Sequence, residues 1–426
     1  MIKEQYNALL DERLYRTTLD NGLEIIILPK PSYVSTHAYF FTQYGSNHNQ
    51  FKVGQKEYNM PMGIAHFLEH KIFEDSEKNI FEEFAKMSGS VNAYTNFVST
   101  CYLFSCTDRP QDNLAQLMKF VQSPYLTEEN VEKEKGIISQ EIRMYDDNPD
   151  WRVYFNTLQA MYHHHPVKYD IAGTVESVKA TTKEDLLACY NAFYIPKNMK
   201  VVVTGNVDVN ETIETIKKNL QSSFTNPTEE VKVIMPDEPQ GVSQTKITEE
   251  MEVSVPTFYM GYKDVQGGLE PKQLLKNGIT TSLLMDVVFG KSGALYQKLY
   301  EKGLINNSFG YDYTFEKGYS HALLGGESKD PDAAYNLIKE HLYSLKDESM
   351  TKASIERTKR KMIGRFLSAY NSIDYIGKSY VGYLNRGLDL FDYLEVLQGL
   401  NQSDFEQRFT TLFAADNSVL SVVKSK

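Results

Sequence analysis

The sequence predicts an α+β protein of two homologous domains, each a mainly antiparallel sheet covered by helices. Three observations lead to this prediction. Short strand-like segments, some joined by tight turns, are interleaved with long helical segments. An acidic, proline-containing segment at 222–244 has no helical period, which is typical of an interdomain linker. The order of strand and helix patterns before this segment recurs after it.

The first domain begins with a hairpin, in which RLYRTTL and LEIIILPK flank the tight-turn sequence Asp20-Asn21-Gly22. Further strands are predicted at 36–45 and at 198–207. Between them we predict, in chain order, helices in PMGIAHFLEHKIFE and NIFEEFAKMSG, strands in SVNAYT and STCYLFSC, and helices in DNLAQLMKFVQS and ENVEKEKGIISQEIRMYDD.

The second domain is indicated by a repeat with a constant spacing. The strand AYFFTQYG begins at Ala38, and its counterpart TFYMGYKD begins at Thr257. Asn198 and Asn417, which begin the last strand of each half, are separated by the same length of chain. A shared spacing at both ends of two segments indicates a duplicated domain. The predicted division is a first domain at 1–221, a linker at 222–244 and a second domain at 245–426.

Composition excludes several classes of function. The chain has 426 residues and a net charge of −11, which disfavours a nucleic-acid partner. No run approaches the roughly 18 apolar residues of a membrane span, so no membrane partner is expected. The N-terminal stretch has early acidic residues and no apolar signal region. Three cysteines do not make a disulfide framework. We therefore expect a cytoplasmic protein.

The segment PMGIAHFLEHKIFE, residues 61–74, places His66, Glu69 and His70 at positions i, i+3 and i+4 of a helix. Residues at these spacings share one helix face, so the three side chains converge. Two histidines at i and i+4 can bind Zn²⁺, with the glutamate between them as a general base. The pattern therefore predicts a catalytic zinc site.

The second half lacks this trio. The spacing of the repeat places apolar side chains opposite the three polar ones, namely Met285, Val288 and Phe289. A residue set that only one copy of a duplicated domain carries is not required by the shared fold. The polar trio therefore favours a chemical role over a structural one.

A third zinc ligand is expected on a neighbouring helix. ENVEKEKGIISQEIRMYDD offers Glu134 and Glu141, which are two helical turns apart on one face. Ile137, Ile138 and Ile142 supply an apolar side that we expect to face the core. Glu141 is flanked by isoleucines, which makes a solvated role less natural, but spacing alone leaves both glutamates open.

The combination of HFLEH with a following EKEKGIISQE helix resembles the pitrilysin-type zinc metallopeptidases, the inverzincins. This family includes insulin-degrading enzyme and mitochondrial processing peptidase, and the chain is most similar to its short bacterial YmfH-type members. The resemblance implies a clamshell half that binds one Zn²⁺ per chain. It makes His66, His70 and Glu141 the zinc ligands, with Glu134 supporting a ligand from behind.

The resemblance also implies the reaction and the way substrate binds. Glu69 becomes the general base of a zinc endopeptidase that hydrolyses short or unfolded peptides. Asn92, Ala93 and Tyr94, in SVNAYT, match the family's edge strand, which pairs with the substrate backbone beside the metal.

One departure from the family concerns the second domain. Active members present an Arg and, two helical turns later in sequence, a Tyr near the scissile bond. The corresponding stretch here, LYQKLYEKGLINNSFGY, has Tyr300 in place of the Arg and Asn306 or Asn307 in place of the Tyr. We therefore expect a heterodimer with a homologous, zinc-less sister subunit that supplies this pair. The alternative is a non-catalytic peptide-binding or assembly protein of the same fold, which the retained ligands and base disfavour.

Two further patterns are interpreted as ordinary surface features. His163-His164-His165 is expected in a surface loop, because consecutive histidines project in different directions. The basic stretch from Lys352 to Lys361 is expected to be a solvated helix face that could attract an acidic peptide.

Overall fold

The computed structural model describes residues 1–76, 78–264, 269–345, 351–413 and 417–426. The strands are β1 (Lys3–Asn7), β2 (Glu12–Thr18), β3 (Glu24–Pro29), β4 (Thr36–Thr42), β5 (Gln50–Val53), β6 (Lys56–Asn59), β7 (Gly89–Thr95), β8 (Thr100–Cys106), β9 (Met199–Gly205), β10 (Val231–Val233), β11 (Lys246–Met251), β12 (Thr257–Asp264), β13 (Gly310–Phe315), β14 (Ser320–Glu327) and β15 (Ser418–Ser425).

The helices belong to both halves of the chain. They are α1 (Ile64–Ile72), α2 (Ile80–Ala85), α3 (Pro110–Val121), α4 (Glu128–Asp146), α5 (Pro149–Met161), α6 (Val175–Ala180), α7 (Lys183–Phe193), α8 (Val209–Lys218), α9 (Pro271–Phe289), α10 (Ala294–Glu301), α11 (Pro331–Ser344), α12 (Lys352–Ala369), α13 (Ile373–Asn385), α14 (Asp392–Gly399) and α15 (Gln402–Leu412). Among the described residues, none of these helices is both long and apolar enough to span a bilayer.

The chain forms two compact units that do not follow its sequence continuously. Unit 1 comprises Met1–Ile142, Asp170–Met235 and Ala369–Asn385, and unit 2 comprises Arg143–Tyr169, Pro236–Ser368 and Arg386–Lys426. Helix α5, from the first half of the chain, therefore belongs to unit 2, and α13, from the second half, belongs to unit 1. The domain boundaries drawn from the sequence stay a prediction about homologous segments. They do not include the assignment of α5 to unit 2 and of α13 to unit 1.

The main sheet of unit 1 has the strand order β1-β2-β3-β9-β4-β8-β7. Neighbouring strands are antiparallel except for β3 and β9, which are parallel. A small sheet of order β10-β5-β6 belongs to the same unit. The predicted hairpin is present as β2 and β3, and Gly22 takes a φ of 96° in its turn, a conformation that glycine adopts most readily.

The sheet of unit 2 repeats five strands of the first sheet. Its order is β11-β15-β12-β14-β13, with β11 and β15 parallel and the other pairs antiparallel. These strands match β3-β9-β4-β8-β7 in order and direction. The predicted α+β fold with two similar, mainly antiparallel sheets and covering helices is therefore confirmed.

The core of unit 1 lies between its sheet and the helices of the first half. Helix α1 contributes Ile64, Phe67, Leu68 and Ile72, all at most 2% exposed. Burial of such a side chain contributes about 1.5–3 kcal/mol. This packing fixes the rotation of α1, and the polar residues of its remaining face therefore have a defined direction.

Candidate metal centre

Helix α1 begins at a position where only glycine fits. Gly63 has a φ of 83°, a left-handed conformation that other residues rarely adopt. A Cβ at this position would lie 2.2 Å from the carbonyl oxygen of Ala172. Gly63 thus lets the start of α1 lie against the 172–173 backbone and sets where the histidines are presented.

The structure brings His66, His70 and Glu141 together. The two Nε2 atoms are 3.2 Å apart, and Glu141 Oε1 and Oε2 lie 3.7 Å from His66 Nε2 and 3.6 Å from His70 Nε2, respectively. Two ligands at the usual Zn–N distance of about 2.0–2.1 Å in a tetrahedron are about 3.3 Å apart. The spacing and donor types therefore fit one Zn²⁺. No other cluster of this kind occurs among the described residues.

The two histidines have different surroundings. Burial, followed by the charge of His70, lowers the pKa of His66 to about 4, so its ring is neutral at pH 7. Burial also opposes protonation of His70, but the hydrogen bond to Glu134 and the nearby carboxylates outweigh burial and raise the pKa of His70. His66 Nδ1 is buried and has no hydrogen-bond partner in the described structure.

Glu134 lies behind His70. Its Oε1 is 3.0 Å from His70 Nδ1, and the residue is only 6% exposed. Burial opposes ionisation, but the hydrogen bond to His70 outweighs it and lowers the pKa of Glu134. A carboxylate that accepts the Nδ1 proton fixes the tautomer in which Nε2 carries a free lone pair. Glu134 therefore holds the His70 ring through Nδ1 and is not itself part of the converging set.

Glu69 points from the same helix and is 8% exposed. Its Oε2 accepts a 2.7 Å hydrogen bond from Thr95 Oγ1, at the end of β7. Burial raises the pKa of Glu69, although the Thr95 hydroxyl and the charge of His70 act in the opposite direction. A raised pKa brings a carboxylate closer to the range in which it exchanges protons near neutrality.

Two contributors were not predicted from the sequence. Thr95 immediately follows SVNAY, but its role depends on a contact with α1 that no local pattern encodes. Lys71 is fully buried, and its Nζ donates to the carbonyl of Asn130 at 3.0 Å and pairs with Glu74 at 2.5 Å. It ties the end of α1 to the beginning of α4, which positions the glutamates of α4.

The predicted substrate strand lies at an edge. β7 ends the sheet order and pairs with β8. Asn92 is exposed, and its Oδ1 accepts from the backbone N–H of Ala93 at 2.8 Å, while Ala93 and Tyr94 are partly buried. An edge strand presents unpaired backbone groups with which an extended peptide can pair. Thr95, at the end of this strand, bonds to Glu69, so the edge runs up to the metal centre.

Three other sequence predictions have mixed outcomes. Ile137, expected to face the core, is 47% exposed. His164 is exposed as expected, but His165 is buried, so the surface-loop prediction is wrong for that residue. The basic stretch at 352–361 is exposed at Arg357 and Lys361, but Lys359 is buried and its Nζ donates to the carbonyl oxygens of Gln398 and Leu400, so the solvated-face prediction is wrong for Lys359.

Tyr300, which stands in place of the expected Arg, is exposed. Asn306 Nδ2 donates to Glu327 at 2.6 Å and so links the loop before β13 to the end of β14.

Comparison with known families matches both halves of the chain. Residues 52–175 match the insulinase family model of peptidase family M16, and residues 180–362 match the M16 inactive-domain model. The first match contains all three residues of the converging set, His66, His70 and Glu141.

Individual relatives match over the whole chain. It is 41% identical to the uncharacterized zinc protease YmfH of Bacillus subtilis, over 100% of both chains. The crystal structure of a putative M16-like peptidase from Alicyclobacillus acidocaldarius has a TM-score of 0.93 at 36% identity, covering 100% of this chain and 99% of that one. Pitrilysin shares the fold at a TM-score of 0.76 and 15% identity, covering 100% of this chain and 46% of pitrilysin. The predicted family is confirmed, and the chain belongs to peptidase family M16.

Proposed function

We propose that the chain is the catalytic subunit of a zinc-dependent endopeptidase that cleaves short or unfolded peptides. The observation that carries this proposal is the convergence of His66, His70 and Glu141 beside Glu69. A structural zinc site would close all four positions with protein ligands, typically cysteines. Three ligand side chains with a carboxylate base next to them are instead the donor set of a catalytic site.

Three side chains of the site would hold the ion. His66 and His70 would bind it through Nε2, and Glu141 through its carboxylate. The Glu134 carboxylate holds the Nδ1 proton of His70 and so keeps Nε2 available. Zinc, when bound, supplies a Lewis acid that polarises a carbonyl and makes water nucleophilic near neutral pH.

Glu69 moves the proton. The hydroxyl of Thr95 holds Oε2, which leaves Oε1 to accept a proton from the attacking water. The same carboxyl group then delivers that proton to the amine of the leaving peptide. Because Glu69 is buried, it exchanges its proton with the reactants rather than with bulk solvent.

The edge of β7 would position the substrate. An extended peptide that pairs with Asn92, Ala93 and Tyr94 gains affinity from main-chain hydrogen bonds, largely independent of its side chains. A folded protein keeps most of its backbone groups paired internally, which favours short or unfolded peptides as substrates.

The proposed working form is a heterodimer. The family resemblance implies an Arg and a Tyr near the scissile bond, whereas this chain has Tyr300 and Asn306 or Asn307 at the corresponding positions. Loss of a preorganised donor of this kind costs about 10²–10³ in rate. A second copy of the chain lacks the same pair, so we propose that a zinc-less homologous sister subunit supplies it.

The experiment is digestion of a peptide library by the purified chain, alone and co-purified with the product of a neighbouring homologous gene. We expect weak cleavage by the lone chain, strong cleavage by the pair and loss of both with a chelator. Robust cleavage by the lone, monodisperse chain would refute the need for a sister subunit. Peptide binding without cleavage in every preparation would favour the non-catalytic alternative.

A further inference from the structure

Unit 2 carries a second polar cluster on the elements that repeat those of the metal centre. Helices α9 and α12 and strand β13 occupy the places in unit 2 that α1, α4 and β7 occupy in unit 1. The cluster consists of one acidic side chain on α9, one tyrosine on β13 and two cationic side chains on α12, namely Asp286, Tyr311, Lys361 and Arg365.

The contacts converge on the carboxylate. Asp286 is 8% exposed, and its Oδ1 accepts from Tyr311 at 2.6 Å. Lys361 Nζ donates to Oδ1 at 2.7 Å and to Oδ2 at 2.9 Å. Arg365 Nη1 is 3.7 Å from Oδ1, beyond hydrogen-bond length, and its side chain is 61% exposed. Asp286 thus holds the ammonium group of Lys361, whereas the guanidinium group of Arg365 remains exposed to solvent.

The repeat places a positively charged side chain in unit 2 at the position that a proposed zinc ligand occupies in unit 1. Helix α4 begins at Glu128 and α12 begins at Lys352. Counted from these first residues, Arg365 holds the same place in α12 that Glu141, the proposed third zinc ligand, holds in α4. The same scaffold position therefore carries a negative charge in unit 1 and a positive charge in unit 2, so unit 2 is suited to an anion where unit 1 is suited to a cation.

The cluster continues along the exposed face of α12. Arg357, Lys361 and Arg365 follow one another at i, i+4 and i+8, so they lie in one stripe, and all three are exposed. Gly364 leaves open space beside the stripe, because a Cβ there would meet nothing within 4 Å. The carboxylate of Asp286 offsets only one of the three positive charges, which leaves an excess that an anionic ligand would balance.

We propose that this stripe, Arg357, Lys361 and Arg365, binds the carboxylates of an acidic peptide segment. Guanidinium groups match carboxylates in a bidentate geometry. Arg357 and Arg365 are eight residues apart, which is about 12 Å along the helix, and acidic side chains four residues apart on one face of an extended peptide have a similar spacing of about 13 Å. The chain as a whole has a net charge of −11, so attraction of such a segment has to come from a local excess of positive charge, as in this stripe. Binding here requires neither zinc nor cleavage, so it stands apart from the peptidase function.

The test is fluorescence anisotropy of fluorescein-labelled octaglutamate titrated with the full-length chain in low salt. Labelled octaglutamine is the uncharged probe. The variant R357Q/R365Q removes two charges but keeps the Lys361–Asp286 pair. The matched control, K298Q/K302Q, removes two exposed charges from another helix of unit 2, at Lys298 in α10 and at Lys302 directly after it.

We expect octaglutamate to bind more tightly than octaglutamine, and R357Q/R365Q to weaken its binding roughly tenfold, with little change in the control. Circular dichroism of both variants checks that the helices are retained. Equal weakening in the control would show general electrostatic attraction, and unchanged binding in R357Q/R365Q would show a merely solvated helix face. Either result would overturn the proposal.

Discussion

The α1–α4 pair of unit 1 and the α9–α12 pair of unit 2 place opposite chemistry on the same scaffold. In unit 1, two histidines and a glutamate converge, Glu134 forms a hydrogen bond to one of the histidines, and Thr95 donates a hydrogen bond to Glu69. In unit 2, the corresponding helices are joined directly by the Asp286–Lys361 pair.

The difference separates the requirements of folding from those of chemistry. Counted back from the ends of α1 and α9, Leu283, Asp286 and Val287 hold the places of His66, Glu69 and His70, and not Met285, Val288 and Phe289 as the constant spacing predicts. Helix α9 therefore packs into its core with apolar side chains in place of both histidines. The duplicated fold therefore does not need His66 or His70. We therefore attribute the two histidines of α1 to the proposed chemistry of the site, and a substitution at each residue of the site tests this conclusion.

The largest effect is expected at Glu69, the proposed general base. Glu69→Gln removes the proton acceptor but keeps the shape of the side chain, so peptide cleavage should fall about 10²-fold or more while zinc remains bound. Turnover is measured in whichever preparation cleaves peptides, the lone chain or the chain co-purified with a homologous partner. The zinc content of the same sample is measured as well. Glu129→Gln, an exposed change on α4, is the matched control. Near-normal turnover in Glu69→Gln would remove the role assigned to this residue.

A smaller effect is expected at Glu134, which forms a hydrogen bond to His70, one of the proposed ligands. Glu134→Gln weakens the hold on the Nδ1 proton of His70, and loss of such a support typically costs about 10–100-fold in metal affinity. Competition with a chromogenic zinc chelator measures the change. An affinity equal to that of the native chain would show that Glu134 serves only to pack α4.

The smallest effect is expected at Thr95. Thr95→Val removes the hydrogen bond to Glu69 but keeps the side-chain volume, and we expect kcat to fall roughly tenfold with little change in KM. Thr95→Ser retains the hydroxyl and should restore most of the rate. Equal losses in both variants would point to packing rather than to orientation of the base.

Local patterns in the sequence were sufficient for much of this molecule. The hairpin around Gly22 and the helical spacing of His66, Glu69 and His70 depend on neighbours within a few residues, so periodicity and turn chemistry predicted them. Spacing alone could not choose between Glu134 and Glu141, because both lie on one face of α4. The structure places Glu141 among the converging atoms and Glu134 behind His70.

Features that depend on distant contacts could not be predicted in the same way. Residue type predicts a core position for Ile137, Ile138 and Ile142 alike, and the structure buries Ile138 and Ile142 but leaves Ile137 47% exposed. The exchange of α5 and α13 between the units is a property of packing between distant segments.

The constant repeat spacing also failed locally. The ends of α1 and α9, at Ile72 and Phe289, are separated by a shorter length of chain than the beginnings of α4 and α12, at Glu128 and Lys352. Differences in loop length shift the register between elements. The spacing that relates the strands therefore does not pair Glu141 with Arg365. The opposite charges at this position of α4 and α12 are recognised only when the helices are aligned in the structure.

The most direct test of the account is the zinc content of the native chain and of the variants His70→Ala and Glu141→Gln, measured by inductively coupled plasma mass spectrometry after dialysis against trace zinc. Glu132→Gln, a highly exposed change on α4, is the control. We predict one zinc per chain in the native protein and the control, and strongly reduced zinc in both ligand variants. Full occupancy in Glu141→Gln would contradict the assignment of the third ligand, and more than one tightly bound zinc in the native chain would contradict the assignment of metal chemistry to unit 1 alone.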